Sequence, residues 1–412
     1  MKFNTALLHS KFDGDIATDA TVTPVYQVNA LSHESPEKLE KIFNNKAPGF
    51  AYSRISNPTV DSFEKRIASL EKGIGAVACS SGMAAVTMSL LNILCTGDEI
   101  ITGSGLFGGT IDLFSDLKSF GIITRFVKCV CTEEIEPLIN EKTKAIFAEL
   151  IGNPALDIVD IESVAKLAHK YNIPLIIDST TATPCLIHPI DYGADIVVHS
   201  SSKYINGSGN AISGIIVDSG NFKWDVIRYK MFSEYKNYGK FAYLAKLRNG
   251  IWRNIGCCLA PMNAFLNTIG LETMGLRMER LCDNAFELAK FLDSFDGINA
   301  NYPLLSKNTY KSLAQKLFDN RGGAILTIRT GSKEKAFRLL NNLKIPLVAT
   351  NIGDVRTLVI HPASTIYAHS SEEQRRNAGV YEDTIRISVG IEDIEDLKED
   401  FKQAIDKLQE EN

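Results

Sequence analysis

Short apolar runs alternate with segments of helical periodicity over the first half of this 412-residue chain. The runs are rich in β-branched residues and show no strict alternation of apolar and polar positions, which predicts strands buried on both faces. We expect these strands at residues 75–79, 99–102, 122–127, 144–148, 175–177, 195–198 and 214–217. Crossover helices between such strands predict an α/β fold with a mostly parallel central sheet and helices on both faces.

Helical periodicity marks the segments around these strands. Asn57 and Pro58 predict the start of a helix, since Asn caps well and Pro fits the first turn. A second amphipathic helix is expected at residues 161–171. After about residue 255 the pattern changes to long helices between 264 and 291, strands at 324–328 and 384–389, and a last helix that begins at Asp393.

This change of pattern predicts three parts. Residues 1–55 are polar and rich in turn-forming residues, which predicts an arm that packs on something else, such as a neighbouring subunit. Residues 56–255 are expected to form the large domain, and residues 256–412 a smaller α+β domain.

Composition limits the classes of function. The formal charge of −5 argues against nucleic acid as the main partner, because no basic stripe is left to neutralise phosphates. No apolar run approaches the ~18 residues of a membrane span, and the N-terminus does not resemble a signal peptide, so a cytoplasmic protein is expected. The eight cysteines and seven histidines have no metal-ligand spacing, so we predict no metal site.

Two polar residues end buried strands and suggest a cofactor. Asp178 closes the run that begins at Pro174, and Lys203 follows the run that begins at Ile196. Pyridoxal phosphate (PLP) needs a lysine to hold its aldehyde as a Schiff base and an acid to keep its pyridine nitrogen protonated. In parallel sheets ligands bind at the carboxyl ends of strands, where both residues are expected. Ordinary solvent-facing strand ends are the alternative for two isolated residues.

A phosphate site is predicted at the segment Ser80-Ser81-Gly82-Met83, which follows a strand and opens a helix. Free backbone amides and the helix dipole attract a phosphate there, and a glycine lets the backbone approach closely. A tight turn that binds nothing is an equal alternative on this motif alone. Ser200 and Ser202 are candidates for further hydroxyl donors to the same phosphate.

A competing motif, Gly103-Ser-Gly105-Leu-Phe-Gly108, matches the G-x-G-x-x-G pattern of dinucleotide sites. The next strand, however, ends without an acidic residue for a ribose, and carries Arg125 and Lys128 instead. The motif also follows the better phosphate loop by one strand. A nicotinamide cofactor is therefore the less favoured hypothesis.

Two arginines are candidates for anion binding. Arg54 lies beside Tyr52 in the arm, and a guanidinium with a phenol makes a good phosphate clamp. Arg386 alternates with apolar residues in a strand, so it faces the other way from them and can hold a carboxylate. A surface ion pair is the alternative for Arg386.

Taken together, these segments resemble the Cys/Met-metabolism family of PLP-dependent enzymes, which has the aspartate-aminotransferase-like fold (fold type I). The resemblance covers nearly the whole chain. Its most specific parts are Tyr52-Ser-Arg54-Ile-Ser-Asn-Pro-Thr59, Ser81-Gly82-Met83-Ala-Ala85, Asp178 and Ser200-Ser-Ser-Lys203.

The resemblance implies a role for each site residue. Lys203 is the lysine that binds PLP, and Asp178 pairs with the pyridinium nitrogen. Asn153 contacts the cofactor's ring oxygen, and Phe107 stacks on its ring. Asn351 and Arg386 bind the substrate, and Arg386 takes its carboxylate. The cofactor phosphate is held by Ser81, Gly82, Met83, Ser200 and Ser202, together with Tyr52 and Arg54 of an adjacent subunit. A homo-oligomer, expected to be a tetramer, with a shared active site follows.

The segment from Asn351 to Ser364 is similar to the O-acetylhomoserine sulfhydrylase branch of the family, whereas γ-lyases and cystathionine synthases usually carry Ser-Leu-Gly at its start. Two positions depart from the family. Phe107 stands where Tyr is usual and has no phenol to protonate a leaving group, and Ile366-Tyr367 stand where a His is expected. Acetate leaves more readily than a thiolate, so Phe107 suits an activated ester.

The expected reaction is therefore γ-replacement on O-acetylhomoserine by a sulfur donor, which gives homocysteine and acetate in methionine biosynthesis. The alternatives are a cystathionine γ-synthase, a methionine or cystathionine γ-lyase, and a PLP-holding protein without turnover. The sequence leaves open the acyl group and the sulfur donor, which is free sulfide, a small thiol or a sulfur-carrier protein.

Overall fold

A computed structural model describes residues 1–10 and 19–410. The first sheet contains all seven strands expected from the apolar runs. They are β1 (Gly75–Cys79), β2 (Glu99–Gly103), β3 (Ile123–Val127), β4 (Thr143–Glu149), β5 (Leu175–Asp178), β6 (Ile196–His199) and β7 (Gly214–Asp218).

The strand order across this sheet is β1-β7-β6-β5-β4-β2-β3. Strand β7 is antiparallel to both of its neighbours, and the other pairs are parallel. Successive residues of β5 point to opposite faces, so Ile176 packs into one apolar cluster and Ile177 into another. The predicted α/β architecture, with helices on both faces of a mostly parallel sheet, is confirmed.

The second sheet lies in the C-terminal part of the chain and is mostly antiparallel. Its order is β10-β11-β12-β9-β8. The strands are β8 (Asn299–Asn301), β9 (Ile325–Arg329), β10 (Leu347–Val348), β11 (Leu358–Ile360) and β12 (Thr384–Ser388). Strand β12 is completely buried between β11 and β9, and it carries Arg386.

The helices follow the predicted alternation through the first sheet and then dominate the C-terminal part. In the first part they are α1 (Phe3–His9), α2 (Pro36–Phe43), α3 (Pro58–Leu70), α4 (Gly82–Leu91), α5 (Gly108–Leu117), α6 (Thr132–Ile135), α7 (Ile161–Lys170) and α8 (Thr183–Leu186). Those that follow are α9 (Ala242–Asn249), α10 (Ile251–Ile255), α11 (Pro261–Glu272), α12 (Met274–Asp293), α13 (Lys311–Leu317), α14 (Lys333–Asn342), α15 (Glu372–Asn377) and α16 (Ile394–Glu410).

The N-terminal stretch contains more regular structure than its polar composition suggested. Ser35 caps α2 by accepting a hydrogen bond from the Lys38 amide, and Pro36 occupies the first turn. Helix α1 packs against α3, α11 and α12. Across residues 1–10 and 19–410, no helix has both the length and the apolar character needed to cross a membrane.

Candidate active site

A cavity of about 460 Å³ opens at the carboxyl ends of the parallel strands. It is lined by residues from both sheets, although they are far apart in the sequence. The predicted site residues on its wall are Ser81, Gly82, Met83, Phe107, Asn153, Asp178, Ser200, Ser202, Lys203, Asn351 and Arg386. Tyr52 and Arg54 do not line this cavity.

Lys203 presents its amine to this cavity. Its Nζ donates a hydrogen bond to Oδ1 of Asn351 at 2.6 Å. Removal from water and, to a smaller extent, the positive charge of Arg386 together lower the pKa of Lys203 to about 8. An amine with such a pKa is uncharged in about a tenth of the molecules at pH 7, far more than for an ordinary lysine, so it can act as a nucleophile and a base.

Asp178 lies at the end of β5 with one oxygen already engaged. Its Oδ1 accepts hydrogen bonds from the Thr180 amide at 2.9 Å and from the Thr180 hydroxyl at 2.5 Å. Burial raises the pKa of Asp178, while these Thr180 donors act in the opposite direction. Its Oδ2 makes no hydrogen bond within residues 1–10 and 19–410, so this oxygen can accept one from a cationic ligand.

Sequence reasoning missed Glu149, which also lines the cavity. Glu149 ends β4 directly opposite Asp178 in the parallel pair of β4 and β5, so the two carboxyl groups lie on the same face. Burial raises the pKa of Glu149 well above its usual range, and the charge of Asp178 raises it further. A polar residue at the end of a buried strand was the available signal, the same one that identified Asp178.

The predicted phosphate loop forms the N-terminus of α4. The Ser81 hydroxyl accepts from the Ala84 amide at 3.0 Å, and the first turn carries no acidic residue. A Cβ atom at Gly82 would lie 2.5 Å from Cβ of Ser200, so only glycine fits between the two segments. The Ser202 hydroxyl, in contrast, donates to the carbonyl of Ser213 and accepts from its amide. These bonds connect the residue before β7 to the segment that carries Lys203.

Arg386 provides a buried positive charge on the opposite wall. It donates to Oδ1 of Asn153 at 3.3 Å and to the carbonyl of Asn351 at 2.9 Å. Within residues 1–10 and 19–410 it has no carboxylate partner, and its Nε makes no hydrogen bond. Burial lowers the pKa of Arg386 to about 10, so it stays charged at neutral pH. A buried guanidinium without an anion is a ready site for a carboxylate.

The arm residues Tyr52 and Arg54 contact each other at the surface. The Arg54 guanidinium lies 5.4 Å from the centre of the Tyr52 ring and donates to the carbonyl of Arg253 at 2.8 Å. The Tyr52 ring is exposed. Both side chains are therefore available to a neighbouring molecule.

The dinucleotide motif has a packing explanation. A Cβ atom at Gly105 would lie 3.0 Å from the Asp157 carboxylate, and one at Gly108 would lie 2.5 Å from the carbonyl of Ile366. Glycine is favoured at these two positions because a side chain would crowd or collide with other parts of the protein.

The side chains of the cavity fit PLP. The groove that only Gly82 allows, at a helix N-terminus, fits a phosphate, and the free oxygen of Asp178 fits a pyridinium. The Lys203 amine fits an aldehyde. The described part of the chain holds no group of three His, Cys, Asp or Glu residues placed to bind one metal ion.

Comparison with known proteins gives consistent matches. The sequence profile of the Cys/Met metabolism PLP-dependent enzymes matches residues 4–406. The homocysteine synthase of Schizosaccharomyces pombe is 39% identical over 420 residues, which cover 98% of each chain. The O-acetyl-L-homoserine sulfhydrylase 1 of Thermus thermophilus is also 39% identical over 420 residues, which cover 98% of this chain and 100% of the relative.

A solved structure has the same fold. The putative O-acetylhomoserine (thiol)-lyase of Campylobacter jejuni superposes with a TM-score of 0.92 at 36% identity. The match covers 98% of this chain and 100% of that protein, whose crystal structure contains N′-pyridoxyl-lysine-5′-monophosphate.

Proposed function

This chain belongs to the Cys/Met metabolism family of PLP-dependent enzymes, and from that premise we propose that it makes homocysteine and acetate from O-acetylhomoserine and a sulfur donor by γ-replacement. The observation that carries the proposal is the phenyl ring of Phe107 on the cavity wall. This ring has no acidic hydroxyl, and acetate departs without one.

Bound PLP supplies an electron sink that makes the Cα proton of the substrate acidic. Arg386 binds the substrate α-carboxylate, which fixes the orientation of the amino acid in the cavity. Nζ of Lys203 takes the proton from Cα and then moves a proton at Cβ, because its pKa of about 8 lets it both accept and donate near neutral pH. Asp178 would pair with the ring nitrogen of the cofactor and stabilise a positive charge there.

The N-terminus of α4 at Gly82 and Met83 would hold the cofactor phosphate, with Ser81, Ser200 and Ser202 around it. We propose that Tyr52 and Arg54 complete this site from an adjacent subunit, because they are exposed and lie outside the cavity of their own chain. The active protein is then a homo-oligomer, which we propose to be a tetramer. Asn153 contacts the ring oxygen of the cofactor.

We propose that each of the three predicted parts of the chain has its own role. Residues 1–55 form the arm, residues 56–255 the PLP-binding domain, and residues 256–412 the domain that carries Arg386 and Asn351. A cytoplasmic location and a place in methionine biosynthesis agree with this activity. The sulfur donor is sulfide, a small thiol or a sulfur-carrier protein.

Steady-state rates with a matrix of substrates test the function. Purified protein with PLP is given O-acetyl-, O-succinyl- or O-phosphohomoserine, each with sulfide, methanethiol or cysteine, and the sulfur-containing amino-acid products are identified. We expect the highest rate of homocysteine formation from O-acetylhomoserine and sulfide. Lys203→Ala abolishes it, whereas Lys246→Ala, at a lysine outside the cavity that donates to the carbonyl of Asn92, retains it.

Two results would change the proposal. Cystathionine from cysteine as the dominant product would make the protein a cystathionine γ-synthase. PLP uptake without product from any O-acylated homoserine would remove the γ-replacement activity.

A further inference from the structure

The peptide group between Leu106 and Phe107 is held on both of its sides. The Tyr367 hydroxyl donates to the carbonyl oxygen of Leu106 at 2.6 Å. The amide of Phe107 donates to Oε1 of Glu149 at 2.7 Å. This carbonyl and this amide belong to one planar unit, so the two hydrogen bonds together fix its orientation.

The two residues that hold this peptide come from distant parts of the chain. Glu149 ends β4 of the first sheet, whereas Tyr367 follows the turn after β11 of the second sheet. Tyr367 is fully buried, and its hydroxyl also lies 3.3 Å from the carbonyl of Asn153. The hydrogen bonds that these two side chains make in this region go to backbone groups, so they act on the position of the segment.

The Phe107 ring needs such support. A phenol at this position would have a hydroxyl to hydrogen-bond a neighbouring group, but a phenyl ring has none. The ring also lies against Gly109, where a Cβ atom would be 2.8 Å from Cε1 of Phe107. Its direction is therefore set by packing and by the backbone that carries it.

Glu149 is a suitable acceptor in its neutral form. Burial and the charge of Asp178, together with that of Asp157, raise its pKa well above the usual range. The carbonyl oxygen of a protonated carboxyl still accepts a hydrogen bond. Gln has nearly the same shape and retains this acceptor, whereas Leu removes it.

We propose that Glu149 and Tyr367 are positioning residues that clamp the Leu106–Phe107 peptide and so hold the Phe107 ring in place to stack on the cofactor. The stacking part of this proposal rests on the proposed function, since it requires PLP in the cavity. The clamp itself is a property of the protein without cofactor.

Tyr229 offers a matched control. It is also fully buried, and its hydroxyl donates to the carbonyls of Lys144, at the amino end of β4, and Asn172, before β5. Tyr229→Phe therefore removes the same atom and the same kind of hydrogen bond as Tyr367→Phe. Only the second change touches the peptide next to Phe107.

Three measurements test the clamp in Tyr367→Phe, Glu149→Leu, Glu149→Gln and Tyr229→Phe. Amide hydrogen exchange of residues 104–110 is followed in cofactor-free protein. Visible circular dichroism and the dissociation constant of PLP are measured on loaded protein. We expect faster exchange, an altered dichroism band and a PLP dissociation constant raised about fivefold in Tyr367→Phe and Glu149→Leu, the effect of losing one hydrogen bond. Glu149→Gln and Tyr229→Phe should stay within about twofold of the wild type.

The proposal is overturned if Tyr367→Phe matches Tyr229→Phe in all three measurements, or if Glu149→Gln is as impaired as Glu149→Leu. Failure of the proposed function has a different signature. In that case the wild type takes up no PLP, or loads it without turnover, while hydrogen exchange still reports on the clamp.

Discussion

Lys203 and Asn351 are 148 residues apart in the sequence, yet the lysine amine donates to the asparagine side chain at 2.6 Å. The carbonyl of the same asparagine accepts a hydrogen bond from Arg386 at 2.9 Å. Asn351 therefore connects the group proposed to bind PLP with the group proposed to bind the substrate carboxylate. A substitution of Arg386 should therefore affect the Lys203 amine.

The pH dependence of cofactor capture tests this connection. Only the uncharged amine attacks an aldehyde, so the rate at which apoprotein binds PLP covalently should rise with pH around a midpoint near 8. Arg386→Gln should move the midpoint upward, because it removes a positive charge that disfavours protonation of Lys203. Stopped-flow absorbance across a pH series measures both. Arg280→Gln, an exposed arginine paired with Asp393, is the control and should leave the midpoint in place. A wild-type midpoint near the usual 10.5 would contradict the prediction.

Gly82→Ala should weaken PLP binding on the order of tenfold or more, since the added methyl collides with Ser200 and shifts the phosphate loop. Equilibrium dialysis of PLP against the variant measures the loss. The double variant Gly82→Ala, Ser200→Gly removes the two closest colliding atoms and should recover part of the affinity. A single variant that binds PLP as well as the wild type would show that this loop does not hold the phosphate.

Asp178→Asn should lower kcat on the order of 10²–10³-fold, because the neutral amide no longer stabilises a positive charge on the cofactor ring. PLP should still bind, since the phosphate loop and Lys203 are intact. Glu149→Gln is the informative comparison, because that carboxyl is expected to be neutral already and should lose far less activity. Equal losses of kcat in the two variants would argue against distinct roles for this in-register pair.

Phe107→Tyr should change the preference between leaving groups. A phenol at this position can protonate a departing thiolate, and general acid catalysis typically contributes 10²–10⁴-fold. We expect elimination from cystathionine to increase at least tenfold, while the rate with O-acetylhomoserine changes little. Competition experiments with both substrates give the ratio of kcat/KM. An unchanged ratio would mean that the absent hydroxyl does not determine the leaving group.

Subunit mixing tests the shared active site. Arg54→Ala and Lys203→Ala should each be inactive alone, but mixed oligomers contain sites in which both residues are wild type. Activity should therefore reappear after the two variants are dissociated and reassembled together. Mixing Arg54→Ala with Tyr52→Phe is the control, because both changes affect the same segment and no intact site forms. Absence of recovery in the first mixture, with mixed oligomers verified by mass, would place Arg54 outside the site.

The positions of the strands could be predicted from the sequence, but their order in the sheet could not. Apolar runs identified every strand of the first sheet, because most of these strands are buried on both faces. The edge strand β3 is partly exposed and carries Arg125. The order of those strands, and the antiparallel direction of β7, depend on contacts between distant segments that no local pattern records. Ser35 and Pro36 are typical of a helix start and could have predicted α2, but the polar composition of this stretch led to the prediction of a turn-rich arm.

Some candidate site residues could be identified from the sequence, whereas the roles of others depend on contacts that form only on folding. Lys203 and Asp178 were identifiable because their residue types match a specific chemistry and they follow buried strands. Glu149 met the same positional criterion, but its role depends on Phe107 and Asp178, which approach it only after folding. Tyr367 was visible only as a departure from the family, since its hydrogen bond spans 261 residues.

Arg386 lies on a strand whose adjacent residues, Ile385 and Ile387, are completely buried in the core. We expect substitutions that repack that core to shift the strand and move the guanidinium relative to Lys203, whereas the phosphate loop at Gly82 lies in the other part of the chain. Laboratory evolution toward larger or differently charged amino-acid substrates should therefore select substitutions beneath the second sheet, at positions that touch neither substrate nor cofactor.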